Sequence, residues 1–90
     1  TRQLKGLEEL NQAYRERASA KQSWATARAG LRLAEKAFQI TSARYREGQA
    51  LLLEFLDAQN RLTSARLNES VTLYELLRRE AALQKTIAGI

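Results

Sequence analysis

The sequence predicts an all-α fold, a long antiparallel helical hairpin with coiled-coil-like packing. Three observations predict it. The 90 residues contain no proline, apolar residues recur at steps of three and four along two long segments, and Gly48 stands between those segments. Glycine adopts the left-handed backbone conformation without a Cβ penalty, which makes it the natural residue just past a helix end. The whole chain, 1–90, reads as a single hairpin: helix 1 at about 2–46, a turn at about 47–50 and helix 2 at about 51–88.

Helix 1 opens with Leu4, Leu7, Leu10 and Tyr14 on one face, and Gly6 weakens these first turns by about 1 kcal/mol relative to alanine. Ala18, Ala20, Ala25, Ala27 and Ala29 follow, small enough for a neighbouring helix to come close, with Trp24 among them to supply one large buried surface. Leu31, Ala34, Phe38, Thr41 and Tyr45 then form a heptad-like seam. A second row, Gly30, Leu33, Ala37 and Ile40, runs beside it. A simple two-helix hairpin needs one apolar stripe, whereas a helix with neighbours on two sides needs two. At roughly 65 Å for 2–46, from 1.5 Å per residue, such a helix exceeds the ordinary globular range.

The turn is marked on both sides. Arg44 and Arg46 put positive charge where the end of helix 1 favours cations, and Glu54 and Asp57 come early in helix 2, where the dipole favours anions. One row of helix 2 is Leu52, Phe55, Gln59, Leu62, Arg66, Glu69, Leu73, Leu76, Glu80, Leu83 and Ile87; a second is Leu56, Thr63, Leu67, Ser70, Tyr74, Leu77 and Ala81. Polar residues interrupt both, so neither is a dry zipper. The leucines at 51–53 point in three directions from adjacent helical positions, so at least one lies outside the hairpin's own core.

Composition narrows the function classes. Apolar residues at 44% and charged residues at 28% fit helix rather than disorder. The longest uninterrupted apolar run, 50–53, is far short of the ~20 residues a membrane helix needs. The start shows neither an initiating Met nor a signal-peptide pattern, so an excised piece or a mature fragment is expected. With no cysteine and no histidine, ordinary zinc ligation is excluded and no cofactor or metal site is expected. Acid–base chemistry would have to rest on groups such as Glu54 and Asp57, which are better explained as helix-start charges, and no catalytic residue is assigned. The net charge of +5 comes from 15 basic against 10 acidic residues. The arginines are dispersed among acids on both helices, so they mark solvated faces and not a track for nucleic acid.

Tyr45-x-x-Gly48, followed by Leu56-Asp57-Ala58-Gln59 and then Leu62-x-x-Ala65-Arg66-Leu67, resembles the C-terminal helical hairpin of TolC-like outer-membrane efflux proteins, as do Arg44-Tyr45 and the tail Ala82-Leu83 with Gly89. The likeness is close from Ala43 to Gly89 and general before that. It implies a wall segment of a periplasmic α-barrel in an outer-membrane efflux duct, part of a tripartite export system. It further implies a tip that lines the entrance and docks a periplasmic adaptor (membrane-fusion) protein, with Tyr45, Glu54 and Asp57 at matching positions; Arg46, Gly48, Gln49 and Leu51 join the candidate tip by their place at the turn. Such a duct would self-associate as a trimer in the parent protein and touch the membrane only through β-barrel segments elsewhere, while for this stretch alone the apolar row that a hairpin leaves uncovered predicts a dimer. The sequence departs from the pattern twice. Leu51 stands where the family has Ser or Thr, and Ala50 where some members carry an arginine that ties the closed entrance to a neighbour. The rival reading is a self-standing coiled-coil interaction module with no export role, and a nucleic-acid-binding hairpin is a distant third.

Overall fold

Two helices make up nearly all of the described chain, α1 at Arg2–Arg46 and α2 at Leu52–Ala88. The structure, a computed structural model, describes residues 2–89, and of Arg2 only the backbone. Thr1 and Ile90, the ends of the expected hairpin, lie outside the described residues. No strand occurs among the described residues, and the fold is the all-α helical hairpin that the sequence predicts. The chain divides into two compact units, each built from a stretch of both helices: a turn unit, Thr26–Ser70, and a terminal unit that joins the stretch up to Ala25 with the stretch from Val71.

In the turn unit α1 turns Ala27, Leu31, Ala34, Phe38 and Thr41 inward, and α2 answers with Phe55, Ala58, Leu62, Ala65 and Glu69. Ala27, Ala58 and Leu62 are buried and the others half-buried. The Arg44–Glu54 pair and the Phe38–Phe55 ring contact set the antiparallel register. That register brings Phe38 level with Ala58, Ala34 with Leu62 and Leu31 with Ala65. Each layer therefore sets a large side chain against a small one, which is how two helices approach closely without leaving voids.

The terminal unit follows the same rule. Its inward positions are Leu10, Ala13, Arg17, Ala20 and Trp24 on α1, with Thr72, Leu76, Arg79, Leu83 and Thr86 on α2. Leu83, only 2% exposed, comes level with Ala13, and Leu76 with buried Ala20. Two arginines occupy this seam. Arg17 pairs with Glu80 at 3.3 Å, and Arg79 reaches Glu16 at 3.2 Å and Glu75 at 3.0 Å. Their side chains stay about two-fifths exposed, as expected of long stems that lie along a seam and carry their charge outward. Arg17 also lies over the Tyr14 ring, 5.7 Å from its centroid.

The α2 seam differs from the expected row at alternate positions. Phe55, Leu62, Glu69, Leu76 and Leu83 belong to it, but Gln59, Arg66 and Ile87 are exposed. Their layers are filled one residue earlier by Ala58, Ala65 and Thr86, while Thr72 with Leu73 and Arg79 with Glu80 are half-buried side by side. At these levels α1 presents Phe38, Leu31, Trp24, Arg17 and Leu10, so the opposite position takes a short side chain or one able to leave the seam. The second rows, Gly30, Leu33, Ala37 and Ile40 on α1 and Leu56, Thr63, Leu67, Ser70, Tyr74, Leu77 and Ala81 on α2, are exposed throughout.

Candidate functional site

The candidate site is the hairpin tip, and its geometry begins with how α1 stops. Gly48 has φ of 75°. The Gly48 N–H donates to the Tyr45 carbonyl at 3.1 Å and the Gln49 N–H to the Arg44 carbonyl at 2.7 Å. This pair of bonds is the Schellman arrangement, which satisfies carbonyls left open at a helix end. Arg44 and Arg46 lie in that last turn, where their charge complements the dipole.

α2 starts without a side-chain cap. The Phe55 N–H donates to the Leu51 carbonyl at 3.2 Å, which makes Leu51 the N-cap residue, and leucine offers no acceptor for the open amides of the first turn. Glu54 supplies an acid within that turn. It lies 3.7 Å from Arg44 across the tip, whereas Asp57 bonds Arg61 one turn further along its own helix at 2.8 Å.

Below the turn sits an aromatic cluster. Phe55 stacks on Tyr45 with ring centroids 5.0 Å apart and meets Phe38 at 5.6 Å. Rings at these separations add to the plain burial of their area. Tyr45 thus serves as packing under the turn and still keeps 38% of its surface exposed. Above the cluster the leucines face outward: Leu51 is 68% exposed, Leu52 54% and Leu53 76%. Arg46 and Gln49 are exposed beside them.

The tip thereby brings Tyr45, Arg46, Gly48, Gln49, Leu51 and Glu54 together, while Asp57 stands one turn away on the wall of a groove. That groove, about 570 Å³, runs between Gly30, Leu33 and Ala37 on one side and Glu54, Asp57 and Arg61 on the other, over Ala34 and Ala58. Phe38, Phe55 and Arg44 were not among the residues expected at the site. The two phenylalanines carry a readable signal, since both lie in the seams and Gly48 folds those seams onto each other. The reach of Arg44 across the tip leaves no such mark in the sequence.

The family model described as "Outer membrane efflux protein" matches residues 1–89. The chain belongs to the outer membrane efflux protein family. No curated protein and no solved structure matches it. Among the described residues of this efflux-family chain no helix is long and apolar enough to cross a membrane. Among the described residues no group of three or more acidic side chains is placed to hold a metal ion. The tip offers a surface: a left-handed turn at Gly48, an apolar edge of three leucines, and charges of both signs around it.

Proposed function

We propose that this efflux-family hairpin is a wall segment of a periplasmic α-barrel and that its tip docks a periplasmic adaptor within a tripartite export system. The hairpin works as a passive conduit wall and not as a catalyst, with transport energy supplied by partner pumps. The observation that carries this reading is the exposure of Leu51, Leu52 and Leu53 together at the turn. Chain reversal needs Gly48 but not three leucines in water. An apolar edge ringed by charge is the usual anatomy of a docking surface.

The outer rows support the barrel half of the proposal. The α2 row carries large side chains, Leu56, Leu67, Tyr74 and Leu77, and the α1 row includes small ones, Gly30 and Ala37. One row set on the other in a neighbouring copy would repeat the large-against-small rule of the hairpin's own seam. Head-to-tail contact of this kind closes into a ring when the rotation per copy allows it.

The test uses the complete efflux protein. Gly48→Pro and Leu51→Asp are expected to abolish adaptor capture and export of an efflux dye, while membrane insertion and trimer assembly persist. Variants that assemble normally and export like the parent would remove the tip from its proposed role.

A further inference from the structure

We infer that Arg44 is the positioning residue that holds the leucine edge of the tip in place, an inference that rests on the docking role proposed above. The Arg44 Nη2 donates to the Gln49 carbonyl at 3.0 Å. The Arg44 main-chain carbonyl accepts the Gln49 N–H at 2.7 Å. One residue of α1 therefore holds both polar backbone groups of Gln49, the residue that leads the chain out of the turn. From the same guanidinium, Nη1 faces the Glu54 carboxylate at 3.7 Å, in the first turn of α2.

Its place explains its use. The N-cap of α2 is Leu51, which contributes no side-chain acceptor, so the direction in which α2 leaves the turn is not fixed by a cap of its own. The Tyr45–Phe55 stack fixes the inner side of the tip. On the outer side, the bonds of Arg44 join the end of α1 to both the turn and α2. A planar guanidinium serves two acceptors on different elements at once; a lysine ammonium presents a single flexible point charge and does not reproduce the fork. Arg44 does not itself form the leucine edge. It acts through Gln49 and Glu54 on where Leu51–Leu53 stand.

Within this hairpin, which has no cysteine of its own, spin labels placed at Leu33→Cys and Leu53→Cys, both on exposed side chains, report the tip against the α1 wall in the purified efflux protein, any cysteine outside the hairpin being replaced first. The parent is expected to give a narrow distance distribution. Arg44→Ala should broaden it and speed amide exchange several-fold over 47–55, with exchange over 10–40 and 60–85 unchanged. Arg44→Lys, which keeps the charge, should remain broad, and Glu54→Gln should broaden it less than Arg44→Ala. Dye export should fall several-fold in Arg44→Ala and not recover in Arg44→Lys. An unchanged distribution in Arg44→Ala, or full restoration by lysine, overturns the inference. So does a broadened tip that exports like the parent while Leu51→Asp abolishes export. If Leu51→Asp exports normally, the docking role fails, and the role of Arg44 in holding the tip is read from the distances and exchange alone.

Discussion

At Gly48 an added Cβ would meet nothing within 4 Å, so the cost of Gly48→Ala is that of the backbone alone. With φ at 75°, that cost is about 1 kcal/mol, and the thermal melt should fall by several degrees. Gly30 also has open space around it but sits inside α1, where alanine gains up to about 1 kcal/mol over glycine. Gly30→Ala should raise the melting temperature of the isolated chain, read by circular dichroism at one protein concentration. If Gly30 faces a neighbouring copy, the same change weakens assembly of the complete protein while stabilising the monomer. Gly48 was legible because a left-handed turn between two periodic segments has few other sequence solutions. Arg44 was legible only as a charge near a helix end, since a bond from its side chain to Gln49 depends on how the turn closes.

Along the helices, the layer that sets Ala34 level with Leu62 isolates the packing rule. Leu62→Ala should cost about 2–4 kcal/mol through the cavity it leaves. Ala34→Leu should cost about 1–3 kcal/mol through overpacking. The double exchange keeps the volume of the layer, and denaturant melts should show it closer to the parent than the two single losses sum to, as coupled neighbours require. The terminal unit gives a second test. Replacing Arg17 and Arg79 together by leucine should leave stability unchanged or raise it, because partly exposed ion pairs contribute about 0–1 kcal/mol each, but it should loosen the pairing that Glu80 and Glu16 now select. The α1 seam from Leu31 to Thr41 could be read directly from its spacing. Near the end of α2 apolarity misled, since the exposed Ile87 is larger and more apolar than the Thr86 that sits inward. The partner helix, not the hydropathy of α2, decides which position fits.

For the molecule as a whole, the exposed outer rows dominate what happens in solution. Leu67 and Tyr74 are each 65% exposed on the same row of α2, and water is a poor neighbour for such a stripe. The isolated chain should therefore associate, and the paired change Leu67→Lys with Tyr74→Lys should shift sedimentation toward monomer while leaving the helical signal intact. A folded monomer at high concentration in the unaltered chain would contradict this. Family membership was legible because the tip motif places a turn glycine at a fixed distance from Leu56-Asp57-Ala58-Gln59. The partner was not, because a leucine edge states that something apolar is covered without stating what covers it.

The alternation of bulky and slight residues also makes the hairpin a ruler with a fixed division. The pattern returns after seven residues on each arm, so sliding one arm by seven still lays bulky beside slight. The Gly48 turn, the ring contacts of Phe55 and the ion pairs at Arg17, Arg79 and Arg44 distinguish the true alignment from its shifted copies. A matched insertion of seven residues in both arms would leave every existing layer intact and lengthen the arms by about 10 Å. An insertion in one arm alone would strand those charges from their mates. Reach can thus change during evolution in coarse, paired increments, without redesign of the tip proposed to dock.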